Sequence, residues 1–222
     1  MNDILVVAPH PDDEVLGVGG TIARLSHEGN NVNVVIVTKG EPPMFEEVLI
    51  ERVRQEAREA HRLLGVHDTL FLEGFPAAKL DIVPHHKLNN ALKDIVERIR
   101  PNIIFVPFYG DIHIDHRLVF ESMLVAIRPN RGNFIKAVFA YETLSETNWN
   151  APFLTPSFIP NTYFDITDFL DNKIEAMNAY KSCLKDFPHE RSIESIISLA
   201  KLRGSTIGCN AAEAFVLIRA IL

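Results

Sequence analysis

The chain has 222 residues, of which 47% are hydrophobic and 23% are charged. This length and composition are typical of one globular domain with a sizeable core, and we expect a single domain over 1–222. The formal net charge of −7, without a basic stripe or a run of like charges, argues against a nucleic-acid partner. The two cysteines, Cys183 and Cys209, form no CxxC pair and predict neither a disulfide framework nor a thiolate zinc site.

The N-terminal residues and the hydropathy pattern predict a cytoplasmic location. Asn2 and Asp3 lead directly into an apolar run, without the basic segment and long apolar core of a secretory signal. No uncharged run approaches the roughly 20 residues that span a bilayer. We therefore expect no membrane insertion.

Short apolar runs alternate with segments of helical period along the chain. The runs that predict strands lie at 4–9, 32–38, 69–75, 102–108, 136–143 and 214–222. The segments that predict helices lie at 14–28, 46–64, 85–99, 115–127, 168–184 and 192–203. The alternation indicates parallel strands joined by right-handed crossovers, and the first three runs are apolar enough for strands covered on both faces. The predicted fold class is α/β, a doubly wound, mostly parallel Rossmann-like sheet with helices on both faces.

A segment at 144–161 interrupts this alternation. It contains three prolines together with Trp149, Phe153 and Phe158. Prolines at this density oppose regular structure and leave aromatic side chains exposed. We expect this segment to be a lid or an oligomer contact, and the protein to be a homo-oligomer.

An acidic turn, HPDDE at 10–14, follows the first predicted strand. In doubly wound sheets the ligand crevice lies beyond the carboxyl ends of the strands. His10 and Asp13, three residues apart on a turn, can reach one point, and imidazole nitrogen and carboxylate oxygen are ordinary zinc ligands. Asp12 or Asp13 can alternatively cap the helix that opens at Glu14, but capping needs only one acid. We interpret Glu14 as a first-turn helix acid.

A second polar cluster, His113, Asp115 and His116, follows the fourth predicted strand. His116 is the candidate third ligand, since catalytic zinc usually has three protein ligands and a water. The mixed nitrogen and oxygen set favours zinc, with iron, cobalt and manganese as alternatives. A hydrated loop without function is the competing interpretation of this cluster alone.

The remaining side chains of the two clusters match the needs of amide hydrolysis. Asp12 is the candidate base that takes a proton from water. His113 is the candidate donor to the developing oxyanion or to the leaving amine, and we expect Asp115 to hold its other ring nitrogen.

Glycines and further histidines have simpler interpretations. Gly17, Gly19 and Gly20 fail the GxGxxG spacing and fall inside a predicted helix, which indicates close packing of that helix on the sheet. The other histidines are expected to have no functional role: His27, His61, His67, His85, His86 and His189.

The AxHPDDE and HxDH segments resemble the LmbE-like, or PIG-L, deacetylases. The resemblance extends over nearly the whole chain, through TKGE at 38–41, DIT at 165–167, and RG at 203–204 with AEAF at 212–215. Members of this family are zinc enzymes that remove an acetyl group from N-acetylglucosamine units of larger conjugates.

The resemblance implies the same site residues as the chemistry does. The family's metal ligands fall on His10, Asp13 and His116, its base on Asp12, and its oxyanion-stabilising histidine on His113, paired with Asp115.

Two positions depart from the family pattern. The arginine expected three residues before Glu56 is Val53 here, and of its neighbours Arg52 and Arg54 we take Arg54 as the candidate substrate contact. Cys183 stands where the family has glutamine.

The sequence therefore predicts a zinc-dependent hydrolase whose substrate is a small amino-sugar conjugate. Two alternatives stay open. One is an amidase that cleaves a larger acyl group from an amino-sugar conjugate, and the other is a metal- and sugar-binding protein without turnover.

Overall fold

The computed structural model describes residues 1–129 and 134–221. Its strands are β1 (Asp3–Ala8), β2 (Asn31–Ile36), β3 (Asp68–Phe71), β4 (Ile103–Pro107), β5 (Ala137–Tyr141), β6 (Thr162–Asp165) and β7 (Ala212–Ala220). They form one sheet in the order β3-β2-β1-β4-β5-β7-β6. Pairing is parallel from β3 to β5, whereas β7 runs antiparallel to both of its neighbours.

Helices cover both faces of this sheet. They are α1 (Asp13–His27), α2 (Glu47–Leu64), α3 (His85–Ile99), α4 (Ile114–Ala126), α5 (Leu170–Ala179) and α6 (Ile193–Ile207). The first, second, fifth and sixth helices pack on one face, and α3 and α4 pack on the other. The predicted doubly wound, mostly parallel fold is confirmed. No helix in the described ranges is long and apolar enough to cross a bilayer.

The central strand β1 explains why the core has two layers. Alternate residues of a strand face opposite sides of the sheet. Ile4 and Val6 therefore join the layer under α1 and α2, while Leu5 and Val7 join the layer under α3 and α4. All four side chains are fully buried. An apolar run without alternation is the sequence of a strand covered on both faces.

Three local predictions differ from the structure. β6 was not predicted, because its four residues form a short edge strand without a strong apolar run. β3 lies at the other edge and is only partly buried, so the prediction that it is covered on both faces is wrong. The helix predicted over 168–184 ends at Ala179, because the chain turns at Tyr180 and buries that side chain.

Residues 144–161 contain no helix or strand, as their prolines predict. Their aromatic side chains have different environments. Phe158 packs against Phe108 with ring centroids 5.1 Å apart, whereas Phe153 is 98% exposed. A role as lid or oligomer contact stays a prediction.

Glycines let α1 approach the sheet closely. A Cβ at Gly17 would lie 2.2 Å from a ring carbon of Tyr141, and one at Gly20 would lie 2.6 Å from Ile166. These distances are too short for any larger residue unless the backbone moves. The prediction of close helix–sheet packing is confirmed.

We expect Gly17→Ala to lower the free energy of unfolding by about 1–3 kcal/mol, since overpacking displaces Tyr141. Gly19→Ala is the matched control on the same helix. Its new Cβ would lie 3.2 Å from both Lys173 Cγ and Val15 Cγ1, a much milder contact than the 2.2 Å at Gly17, and the higher helix propensity of alanine offsets it. Denaturant unfolding of both variants measures the difference, and equal stabilities would contradict the packing argument.

Candidate active site

Loops that follow two adjacent strands form the centre of the site. β1 pairs directly with β4, so the turn carrying His10 and Asp13 meets the first turn of α4, which carries His116. These three residues each place one ligand atom within 4.8 Å of the others. Asp13 Oδ2 lies 3.3 Å from His10 Nδ1 and 3.2 Å from His116 Nε2. The structure therefore brings the three predicted ligands together.

Two further carboxylates fix the orientation of both imidazoles. Asp111 Oδ2 lies 2.8 Å from His116 Nδ1, and Asp115 Oδ2 lies 3.0 Å from His10 Nε2. Thr147 Oγ1 donates to the other oxygen of Asp111 at 2.6 Å. Although burial acts to lower the pKa of both rings, the neighbouring carboxylates raise it, to about 9 for His10. Without a metal the nitrogen of each ring that faces Asp13 therefore carries a second proton, and a bound metal would replace that proton. Such carboxylate partners are typical of metal-binding histidines.

The donor set fits a divalent metal. His116 Nε2 is buried, and none of its contacts with the described residues has hydrogen-bond geometry, although Asp13 Oδ2 lies 3.2 Å away. A buried polar atom without a partner is rare in a native structure and points to a missing ligand. Two imidazole nitrogens and one carboxylate oxygen without a thiolate suit zinc, iron or cobalt. The same residues compensate the buried acid: although burial acts to raise the pKa of Asp13, His116 and His10 hold it well below its usual value.

Asp115 holds the Nδ1 nitrogen of His113, as predicted, but through its backbone N–H and not through its carboxylate. The Asp115 carboxylate lies beside His10 and also accepts the backbone N–H of Ala78 at 2.7 Å, while His113 Nδ1 is 4.0 Å from it. Instead, the backbone N–H of Asp115 donates to His113 Nδ1 at 3.1 Å. The neutral ring then carries its proton on Nε2. Burial, together with the charge of His10, lowers the pKa of His113 to about 4, so this histidine is a neutral donor at pH 7.

Asp12 has an unusual backbone conformation. Its φ of 98° places a non-glycine residue in the left-handed region immediately before α1, and its side chain caps no helix N–H. The side chain of Asp13 likewise accepts the N–H of His10, at 2.8 Å, instead of a helix N–H. Side-chain capping therefore does not explain either acid.

The carboxylate of Asp12 is buried and has one charged partner. Arg191 Nη1 lies 3.2 Å from Asp12 Oδ2. Burial raises the pKa of Asp12 to about 7, and the Arg191 guanidinium limits the rise. A carboxyl group with this pKa can exchange a proton near neutral pH.

Glu14 is fully buried and joins three elements, which its interpretation as a first-turn acid does not explain. Its Oε2 accepts the backbone N–H of Asp12 at 3.2 Å. Its Oε1 lies 3.1 Å from His61 Nε2 and accepts the hydroxyl of Tyr180. His61, which was expected to have no role, is itself buried and contacts Thr69 at 2.8 Å. The turn is thereby tied to α2 and to the end of α5.

Sequence reasoning also missed the group of side chains around Arg191. Its Nε donates to Ser145 Oγ at 2.8 Å, and its Nη2 lies 3.3 Å from Glu146 Oε1. Glu146 belongs to the 144–161 segment and lines the same cavity as Asp12. Arg191 follows no strand end, and the sequence pattern assigns no role to the acid–histidine segment immediately before it, 186–190.

A cavity of about 320 Å³, the catalytic cavity, opens beside these groups. Its polar side includes His10, Asp12, His113 and Arg191. Its apolar side chains come mainly from the 45–53 stretch and from β3: Phe45, Leu49, Ile50, Val53 and Phe71.

The two departures from the family pattern both lie at this cavity. Arg54 lines it, whereas Arg52 lies in a separate surface hollow with Gln55. The Arg54 guanidinium stacks 5.0 Å from the centre of the Phe71 ring. Cys183 also lines the cavity beside Asp12, and burial raises the pKa of its thiol.

Comparisons with known proteins agree with this geometry. The PIG-L family, described as GlcNAc-PI de-N-acetylase, matches residues 5–127. The "Uncharacterized deacetylase YaiS" of Escherichia coli (strain K12) is 30% identical and covers 81% of this chain and 90% of its own. The "Probable N-acetyl-alpha-D-glucosaminyl L-malate deacetylase 2" of Bacillus anthracis is 26% identical, and the match covers 81% of this chain and 80% of that protein.

A solved structure extends the agreement to the fold. The N,N'-diacetylchitobiose deacetylase of Pyrococcus horikoshii superimposes with a TM-score of 0.77 at 26% identity, over 98% of this chain and 84% of that one. The matched residues include the acidic turn and the HxDH segment. The chain belongs to the PIG-L family.

Proposed function

We propose that the chain is a zinc-dependent N-deacetylase that removes the acetyl group from an N-acetylglucosamine unit of a conjugate. The products are acetate and a free amine. The observation that carries this proposal is the convergence of His10, Asp13 and His116 beside the buried base Asp12. Relatives named as deacetylases of an N-acetylglucosaminyl malate and of diacetylchitobiose support the substrate class.

The metal would be held by His10 Nδ1, a carboxylate oxygen of Asp13 and His116 Nε2. When bound, a divalent metal acidifies water and polarises a carbonyl oxygen. Zinc is the proposed metal because the set contains nitrogen and oxygen donors in a number typical of catalytic zinc, with Fe²⁺ and Co²⁺ as alternatives. Asp111 and Asp115 keep the two imidazoles in the orientation that this set needs.

Asp12 acts as general base in this proposal. Its carboxylate takes a proton from water as the water oxygen adds to the amide carbon. A pKa near 7 matches this task at neutral pH, and Arg191 stabilises the ionised form before the proton arrives.

His113 acts on the other side of the amide. Its Nε2–H donates a hydrogen bond to the oxygen that gains negative charge. The proton that Asp12 took from water is the one delivered to the nitrogen as the C–N bond breaks, because the neutral His113 ring is too weak an acid to give up its Nε2 proton. The backbone N–H of Asp115 fixes the required tautomer through Nδ1. Asp115 thus contributes through its backbone to His113 and through its carboxylate to His10.

A second candidate function is an amidase that removes a larger acyl group. The apolar side of the catalytic cavity favours it, because Phe45, Leu49 and Phe71 can contact a longer chain. The third interpretation, binding without turnover, gives no reason for a buried carboxylate with a pKa near 7 beside the metal ligands.

Assembly and location belong to the proposal as well. We propose a homo-oligomer, supported by the strongly exposed apolar side chains Phe153, Leu154 and Ile159. The two free cysteines support a reducing, cytoplasmic location.

We expect Asp12→Asn to lower kcat by about 10²–10⁴-fold while zinc content stays unchanged, because the variant loses the base and keeps the ligands. Steady-state assay of the free amine and metal analysis of the same sample measure both quantities. Asp168→Asn, an exposed position, is the charge-matched control. A full rate in Asp12→Asn would show that another group is the base.

We expect His116→Ala to lose zinc on dialysis against a competing chelator. Asp111→Asn should keep the fold and bind zinc about 10–100-fold more weakly, since it disturbs only the support of His116. The control is His67→Ala at an exposed position, which should bind zinc like the parent. Equal zinc affinity in all three variants would place the metal elsewhere.

A panel of substrates separates the candidate functions. The metal-loaded enzyme is given N-acetylglucosamine conjugates and the matching N-butanoyl and N-hexanoyl compounds, and the free amine is assayed. The deacetylase proposal expects the highest kcat/KM for acetyl. Higher values for the longer acyl groups would favour the amidase, and no amine from any compound would contradict both hydrolase proposals.

A further inference from the structure

The Glu190 carboxylate, next to Arg191 in the chain, holds the start of the 144–161 segment. Its Oε2 accepts the backbone N–H of Ser145 at 2.8 Å, and its Oε1 accepts the side-chain amide of Asn148. Glu190 itself is outside the lining of the catalytic cavity. Any effect of this carboxylate on turnover must therefore pass through the groups that it holds.

The backbone of Ser145 needs such a constraint. Its φ of 68° lies in the left-handed region, which is unfavourable for a residue with a Cβ. Asn148 Oδ1 accepts the same backbone N–H at 3.1 Å, but this acceptor is neutral. Hydrogen bonds to an ionised acceptor are stronger than those to a neutral one. The Glu190 carboxylate is therefore the stronger of these two constraints on Ser145.

The orientation of the Arg191 guanidinium depends on the residues that Glu190 holds. Arg191 Nε donates to Ser145 Oγ at 2.8 Å, and its Nη2 lies 3.3 Å from Glu146 Oε1. The remaining nitrogen, Nη1, lies 3.2 Å from Asp12 Oδ2. A guanidinium is planar and its donors form a rigid fork, so two fixed nitrogens determine where the third one points.

The support of the metal ligands has a separate origin. Thr147 Oγ1, which donates to Asp111, accepts the backbone N–H of Thr143 at 2.8 Å. The backbone N–H of Thr147 donates to the Thr143 carbonyl at 2.9 Å. These bonds hold Thr147 from within its own turn. Loss of the Glu190 carboxylate should therefore disturb the base and leave the ligands in place.

We infer that Glu190 is a positioning residue for the general base. By holding Ser145 and the neighbouring Glu146, it sets the direction in which Arg191 presents Nη1 to Asp12. The inference rests on the proposed deacetylase function and adds a residue to its machinery. Glu190 touches the reaction only through Arg191, so its contribution should vanish when that side chain is removed.

A double-mutant cycle on the metal-loaded enzyme tests this dependence. We expect Glu190→Ala to lower kcat about tenfold with zinc content unchanged, because the guanidinium is no longer held in one orientation toward Asp12. In the Arg191→Ala background the same substitution should change kcat less than about twofold, since the group through which Glu190 acts is missing. Glu190→Gln keeps an oxygen acceptor for the Ser145 N–H and should stay within about threefold of the parental kcat.

Glu194→Ala is the matched control, since it removes the same side chain from an exposed position in the first turn of α6. It should keep the parental kcat. Hydrogen exchange of the peptide that spans 144–150 is a readout independent of turnover. Exchange should be faster in Glu190→Ala and parental in Glu194→Ala.

Equal losses of kcat for Glu190→Ala in the parental and Arg191→Ala backgrounds overturn the inference, because a merely structural role is additive. A parental kcat in Glu190→Ala, or a loss of zinc in that variant, overturns it as well. These three outcomes leave the deacetylase function intact. A metal-loaded parent that releases amine from none of the acetyl and longer acyl compounds contradicts the proposed function and the inference together.

Discussion

The geometry of the site depends on the hydrogen bond that Glu14 accepts from the backbone N–H of Asp12. A non-glycine residue in the left-handed region costs about 1–3 kcal/mol and persists only where its surroundings determine it. Here the Glu14 carboxylate holds the backbone of Asp12 in this conformation, and His61 and Tyr180 hold the carboxylate in place. The sharp turn separates the directions of neighbouring side chains, so that Asp13 contacts the imidazoles while Asp12 faces Arg191.

Each buried charge of the site has a partner of opposite charge or a fixed hydrogen bond. Asp111 and Asp115 hold the two imidazoles, the imidazoles compensate Asp13, and Arg191 compensates Asp12. Buried carboxylates without such partners would be protonated or would destabilise the fold. Within the described ranges, His116 Nε2 makes no hydrogen bond, and the proposed metal would lie between this nitrogen and the carboxylate of Asp13.

The fold class could be predicted from the sequence because the apolar periods of strands and helices, 2 and about 3.6 residues, are visible among neighbouring residues. The candidate ligands could also be predicted. His10 and Asp13 are close in the sequence, and the usual strand order of a doubly wound sheet brings His116 to them. The direction of a side chain, by contrast, depends on residues that are distant in the chain. The Asp115 carboxylate contacts His10, and the sequence spacing does not distinguish this contact from a contact with His113. The role of Glu14 was missed for the same reason, since one of its partners is 166 residues away. β6 was not predicted, because an edge strand of four residues buries too little apolar surface to need a recognisable apolar run in the sequence.

The contact between Arg191 and Asp12 spans 179 positions of the chain. On the ribosome, the three candidate ligands are synthesised long before this guanidinium exists. At about 5–20 residues per second, the stretch from His116 to Arg191 takes roughly 4 to 15 seconds to make. During that interval a nascent chain has the ligand residues but lacks the cation that stabilises the ionised base. The ion pair that stabilises the ionised base therefore depends on a residue made much later, whereas the three candidate ligands are all present once His116 is made.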